Sequence, residues 1–142
     1  MFFQSEINPS QARATPPGNF KIEHLTDATF ERDVLKADKP VYVLFYSTTC
    51  SVCSDMEDTI NKIGIAFNGR LKFYKIIVQN NPIFPAKYAK TSMPLSIIFH
   101  KGEIVRDPRI LDGSSQWTGN AANLQYYLQW INTVLNVINE RF

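Results

Sequence analysis

Residues 41–53 read VYVLFYSTTCSVC, an apolar run followed by two cysteines three positions apart. The run is rich in β-branched and aromatic residues, which is typical of a strand buried on both faces of a sheet covered by helices. After the cysteines, Met56, Ile60, Ile63 and Phe67 recur at spacings of four, three and four, which indicates one apolar face of a helix. The stretch therefore predicts a strand, a loop with two thiols and a helix in succession.

Patterns on either side of this stretch extend it into an alternating α/β chain. Residues 21–25 alternate as a short strand does, and Thr26 and Asp27 suit the start of a helix that ends before Pro40. Further strands are predicted at 71–78, 95–99 and 103–110, and further helices at 82–90 and 120–138. This order predicts an α/β fold, a three-layer α/β/α sandwich with a mixed central sheet of about five strands and four helices.

Length and charge bound the class of protein. The chain has 142 residues, which fits one domain, and its 15 Lys and Arg against 13 Asp and Glu give a net charge of +2. Because these charges do not cluster, the sequence offers no footprint for nucleic acid. No apolar run approaches the roughly 20 residues that a membrane-spanning helix needs. The proline-containing residues 1–19 predict a flexible N-terminal tail, and residues 20–142 the folded domain.

The N-terminus bears on the compartment. The first residues carry no basic region followed by an apolar core, as a secretory signal would, so we expect a cytoplasmic protein. A periplasmic or membrane-tethered protein stays open, because a chain from which a signal or anchor had been removed would read the same way. In a reducing compartment, a lone pair of cysteines is more often redox-active or metal-binding than structural.

The placement of Cys50 and Cys53 predicts thiol chemistry. Cys50 follows the buried strand and Cys53 falls in the first turn of the next helix. The partial positive charge and free N–H groups of a helix N-terminus stabilise a thiolate, which is the attacking form of cysteine. Cys50 is therefore predicted to attack a disulfide, and Cys53 to resolve the mixed disulfide that forms.

Two other interpretations of the cysteine pair are open. An inert structural bridge needs no chemistry, and half of a zinc site needs further ligands, usually four in all. The chain has no third cysteine, and His24 and His100 are not spaced as a ligand pair, so we expect neither a metal nor a cofactor.

Motifs along residues 20 to 105 resemble the thioredoxin family, in particular the bacterial thioredoxins. They include HLTD at residues 24–27, QNNP at 79–82, SMP at 92–94 and IIFHKGE at 97–103, besides the cysteine pair. The resemblance implies a thioredoxin fold and a cis peptide bond between Met93 and Pro94 that faces the cysteines. It also implies that the Met93 backbone pairs with an extended substrate segment.

The active-site sequence Cys-Ser-Val-Cys is atypical for that family. Thr49 replaces the aromatic residue before the first cysteine, and Leu44 replaces the buried aspartate that is thought to help deprotonate the second. The lysine partner of that aspartate corresponds to Lys75, which is a possible modulator or equally a surface residue. Asp55 adds negative charge near the thiols and is a second possible modulator. Tyr46 and Thr49 flank the site and are expected to shape substrate contact.

The leading function is a protein disulfide oxidoreductase that acts as a reductase. Its expected partners are protein disulfide substrates and a thiol reductant or a donor like thioredoxin reductase, and we expect a monomer. The alternatives are a thioredoxin-fold adaptor with weak or no redox activity, and a glutaredoxin-like enzyme that uses glutathione. Trp117, in the polar segment 112–120, is expected to anchor a loop; a place beside the substrate groove is the alternative.

Overall fold

The computed structural model of the protein describes residues 22–90 and 92–141. The predicted tail at 1–19 lies outside these residues. The first strand, β1 (Glu23–Leu25), leads into helix α1, which begins at Asp27–Phe30 and continues in π-helical geometry over Glu31–Leu35. The backbone N–H of Thr26, just before α1, donates to the Thr29 hydroxyl at 3.0 Å.

The other elements follow the alternation that the sequence predicts. They are β2 (Val41–Tyr46), α2 (Ser51–Ile63), β3 (Lys72–Ile77), α3 (Phe84–Tyr88), β4 (Leu95–His100), β5 (Glu103–Ile104), β6 (Gln116–Thr118) and α4 (Leu124–Arg141). A 3₁₀ turn over Gly64–Phe67 extends α2. Within residues 22–90 and 92–141, no helix combines the length and the apolar character that crossing a bilayer demands.

The sheet is mixed, as predicted. Its strands lie in the order β1-β3-β2-β4-β5, and β6 pairs with β4 as well. The pairings of β1, β3 and β2 are parallel, whereas β4 runs antiparallel to β2, β5 and β6. This arrangement confirms the predicted α/β fold; the described part of the chain has the four expected helices and one strand more than the expected five.

Strand β2 forms the centre of both hydrophobic layers. Tyr42 and Leu44 pack on one face of the sheet, where α2 and α4 lie. Val43 and Phe45 pack on the other face, against α1 and α3. All four side chains are fully buried, which is why the run of 41–46 lacks the polar alternation of a half-exposed strand.

Two predicted boundaries are wrong. The strand expected at 103–110 ends at Ile104, because the chain then leaves the edge of the sheet and turns through residues 111–113. The chain returns as β6, so that Trp117 lies in a strand opposite Ser96 rather than in a loop. The helix expected from residue 120 begins at Leu124, because the side chains of the preceding asparagines accept backbone N–H groups and favour a turn there.

Candidate redox site

The two cysteines lie where β2 gives way to α2. Cys50 is the residue that precedes the first turn of α2 and has extended backbone angles, whereas Cys53 is inside that turn. Their Cα atoms are 5.3 Å apart and their sulfur atoms are joined in a disulfide. The backbone N–H of Cys53 donates to the Cys50 carbonyl at 3.2 Å, which holds the pair in helical register.

The two sulfur-bearing residues differ in access to solvent. Cys53 is only 3% exposed, and it lies on the buried side of α2 together with Met56 and Ile60. Cys50 is half-buried and is bordered by the exposed residues Thr49 and Ser51. An incoming disulfide can therefore reach Cys50 but not Cys53.

The loop before β4 faces the cysteines. The Cys50 Sγ lies 3.7 Å from the carbonyl oxygen of Met93, and the Met93–Pro94 peptide bond is cis. Pro94 is buried, and its carbonyl accepts the backbone N–H of Gly119 at 2.8 Å. The end of β6 thus holds this loop in place beside Cys50.

Gln79, the first residue of the QNNP motif, clamps the loop that leads to Cys50, a role that its motif did not predict. Its Oε1 accepts the backbone N–H of Thr48 at 3.2 Å, and its Nε2 donates to the hydroxyls of Ser47 at 3.0 Å and Thr48 at 2.8 Å. Thr49 joins the same network through its hydroxyl, 3.0 Å from that of Ser47. Two signals were available: Gln79 opens the QNNP motif, and it lies two residues beyond the end of β3, at the same end of the sheet as the cysteines.

Tyr46 and Lys75 meet on the side of the sheet that α2 covers. Lys75 pairs with Leu44 across β3 and β2, and its Nζ lies 5.8 Å from the centre of the Tyr46 ring. Its ammonium donates to the Glu57 carboxylate of α2 at 2.5 Å. The side chain of Lys75 is 13% exposed and that of Glu57 is 32% exposed. Lys75 is therefore a largely shielded partner of α2.

The acidic residues of α2 differ in their exposure and in their partners. Helix α2 begins at Ser51, so that Asp55, Glu57 and Asp58 lie beyond its first turn. Asp55 and Asp58 are exposed, whereas Glu57 turns inward to Lys75. The acidic residue of α2 with a largely shielded partner is thus Glu57.

The histidines are set apart from the cysteines in the described structure. His24 is exposed in β1, and His100 ends β4 at the opposite end from Pro94. Burial, with a smaller effect of Lys101, lowers the pKa of His100. Among residues 22–90 and 92–141, no group of three or more His, Cys, Asp or Glu side chains is arranged to hold a metal ion.

A disulfide at the start of a helix, at the carboxyl end of a central strand, is typical of one class: the thioredoxin-fold protein disulfide oxidoreductases. Comparison with known proteins agrees. The sequence model of the family described as Thioredoxin matches residues 21–120, and the chain belongs to the thioredoxin family.

Individual relatives support this assignment. The chain is 38% identical over 82 residues to the chloroplastic thioredoxin M-type of Brassica napus, a match that covers 58% of this chain and 46% of that one. It is 34% identical over 83 residues to a thioredoxin of Pseudomonas aeruginosa, covering 58% of this chain and 77% of the relative. A thioredoxin of Streptomyces clavuligerus is 34% identical over 85 residues, covering 60% and 78%. The chain thus spans less than half of the plant protein and about three quarters of the bacterial ones.

Proposed function

We propose that this protein reduces disulfide bonds in protein substrates through the Cys50 and Cys53 thiols. One observation supports this most directly: the two cysteines are bonded to each other at the start of α2, with Cys50 half-buried and Cys53 buried. That asymmetry supports a first attack by Cys50 and a second by Cys53. Neither an inert bridge nor an adaptor would need a difference in access between the two sulfur atoms.

The first step joins substrate and protein. The thiolate of Cys50 attacks one sulfur of the substrate disulfide, so that a new bond forms to Cys50 Sγ and the other substrate sulfur leaves as a thiolate. The N-terminus of α2 stabilises the attacking charge. An extended substrate segment lying along Met93 would reach the sulfur of Cys50, whose distance from the Met93 carbonyl oxygen is 3.7 Å. Thr49 and Tyr46 border this approach.

The second step releases the substrate. Cys53 loses its proton and attacks Cys50 Sγ, the bond between Cys50 and the substrate breaks, and the substrate sulfur leaves as a thiolate. The substrate gains two electrons and two protons, and the protein is left with the Cys50–Cys53 disulfide. Because Cys50 immediately precedes the helical turn that contains Cys53, the attack is intramolecular and the effective concentration of Cys53 is high.

The cycle closes when a donor reduces the Cys50–Cys53 disulfide. We infer that the donor is a thiol reductant or a protein like thioredoxin reductase, and that this chain works as a monomer in a reducing compartment such as the cytoplasm. Sedimentation of the reduced and oxidised forms tests the monomer. Trapping the thiols of intact cells with a maleimide tests the compartment, since a reducing compartment would keep most of the protein as the dithiol.

The reduction of insulin by dithiothreitol tests the activity. The wild-type chain should accelerate the precipitation of the freed insulin B chain, Cys50→Ser should not, and Cys53→Ser should accumulate a mixed disulfide with the substrate. Ser54→Ala, which alters an exposed neighbour of Cys53, is the matched control and should behave as wild type. An inactive wild-type chain that still binds folded partners would favour the adaptor. Activity that needs glutathione would favour a glutaredoxin-like enzyme.

A further inference from the structure

The Glu57–Lys75 ion pair is unusually sheltered for this molecule. Lys75 donates to Glu57 at 2.5 Å, with side-chain exposures of 13% and 32%. In the Lys72–Glu23 pair, by comparison, both side chains are at least half exposed. Removing two charged groups from water is costly, so a pair held in this way calls for an explanation beyond stability.

Helix geometry sets Glu57 on the same side of α2 as Cys53. Residues four apart are rotated by about 40° and have Cβ atoms roughly 5–6 Å apart. Asp55 and Asp58, by the same geometry, are rotated from Cys53 by about 160° and 140°. Both are exposed, which agrees with that rotation. Glu57 is therefore the carboxylate of α2 that lies nearest to Cys53 along its buried face.

Strand β2, which lies beneath α2, has no proton acceptor at the position opposite Lys75. Leu44 lies opposite Lys75 in the register of β2 and β3, is fully buried and has an aliphatic side chain. Cys53, at 3% exposure, has little direct access to bulk water. A sulfur in that environment is poorly solvated as a thiolate, so its deprotonation needs a nearby base. Glu57, about one third exposed, has access to water on one side and to the buried face on the other.

We infer that the Glu57 carboxylate accepts the proton of Cys53 through a bridging water during the second step, and that Lys75 is the positioning residue that orients this carboxylate. The inference rests on the proposed function. The Cys53 proton passes to Glu57, the sulfur electron pair of Cys53 forms the bond to Cys50, and the substrate sulfur leaves with the electrons of the broken bond. The proton on Glu57 then passes to solvent or to the leaving thiolate.

A single-turnover reaction separates the two steps. The reduced protein is mixed with an aromatic disulfide that releases one coloured thiolate when Cys50 attacks and a second when Cys53 resolves. Glu57→Gln keeps an oxygen that can accept from Lys75 but removes the base. It should slow the second release by about tenfold or more near neutral pH, which is less than the roughly hundredfold or greater acceleration that a general base usually gives. The first release should stay within about twofold, and Glu57→Asp should recover part of the loss.

Two further variants control the experiment. Asp58→Asn makes the same change of charge one residue away and should alter neither release. Lys75→Met should slow the second release as well, and in the Glu57→Gln background it should slow that release no further, since Lys75 acts through this carboxylate. Should Glu57→Gln keep the wild-type rate of the second release, the inference is wrong while the proposed function stands. A wild-type protein that gives no second release overturns both.

Discussion

The carboxylate of Asp27 in α1 accepts both backbone N–H groups at the start of α3. Its Oδ2 lies 2.8 Å from the nitrogen of Ile83 and its Oδ1 lies 2.9 Å from that of Phe84. Asn81 completes the link, because its Oδ1 accepts the Asp27 backbone N–H at 2.8 Å and its Nδ2 donates to the Ile77 carbonyl at 2.9 Å. A residue that begins one helix thus caps another, and ties the two helices on one face of the sheet to the end of β3.

Replacing Asp27 by alanine should destabilise the fold. The N–H groups of Ile83 and Phe84 would lose their acceptor, and α3, with five residues, has little stability of its own. Loss of a helix cap costs roughly 0.5–2 kcal/mol, so we expect a decrease of about that size in the free energy of unfolding. Urea denaturation measures it. Asp38→Ala, at an exposed loop residue, is the matched control, and an equal loss there would contradict the assignment.

A cluster of hydroxyl groups in the core predicts sensitivity to alkali. The Tyr42 hydroxyl donates to Ser96 Oγ at 2.6 Å and lies 2.5 Å from the Tyr127 hydroxyl. Burial raises the pKa of both tyrosines well above the ordinary value of 10.0. The folded protein therefore keeps these protons at a pH where the unfolded chain releases them. Stability should fall as the pH rises above about 10, by up to about 1.4 kcal/mol per pH unit for each proton.

Tyr42→Phe separates the two consequences of this cluster. At neutral pH it should cost about 1–3 kcal/mol, because Ser96 and Tyr127 lose the hydroxyl that lies between them. Above pH 10 its unfolding free energy should decline less steeply than that of the wild type, since one titrating group is gone. Tyr126→Phe alters the exposed neighbour of Tyr127 and should match the wild type in both respects. An unchanged alkaline slope in Tyr42→Phe would show that other groups cause the decline.

The redox site was largely predictable because its geometry is local. Cys50 immediately precedes the helical turn that contains Cys53, and the apolar run before them fixes a central strand, so sequence spacing alone brings their sulfur atoms together. The position of Met93 is different, since it lies 43 residues from Cys50. Spacing could not place it, and it was expected beside the cysteines only because its surroundings resemble a known family.

The parts that were missed depend on contacts between distant segments. Strand β6 has three residues, and Trp117 is flanked by polar ones, so only its pairing with β4 makes it a strand. Glu57 could be assigned to a helix from the sequence, but not to Lys75, because their contact depends on how α2 rotates over β3. Composition carries no information on that rotation.

Because of His100, we expect the free energy of unfolding to depend on pH in mild acid. Because burial lowers its pKa in the folded state below the usual 6.5, the unfolded chain binds this proton more readily than the folded one. The contribution of neutral His100 to the free energy of unfolding is therefore complete above its pKa in the unfolded chain. It is lost as the pH falls through the lower pKa of the folded state, and the free energy of unfolding then changes by at most about 1.4 kcal/mol per pH unit. Urea unfolding between about pH 5 and 7.5 should show less slope in His100→Gln. The exposed His24→Gln should leave the slope as it is in the wild type.

The clamp around Gln79 predicts an effect on the first chemical step alone. Gln79→Ala removes the acceptor of the Thr48 N–H and the donor to Ser47 and Thr48, which frees the three residues before Cys50. A nucleophile that is less well positioned attacks more slowly, and one or two exposed hydrogen bonds correspond to about a two- to tenfold change in rate. The rate at which Cys50 attacks an aromatic disulfide, measured in the Cys53→Ser background, should fall by that factor. The neighbouring exposed Asn80→Ala should leave it unaltered. If both variants react as fast as the protein that carries Cys53→Ser alone, the loop is held by its other contacts and Gln79 has no part in orienting Cys50.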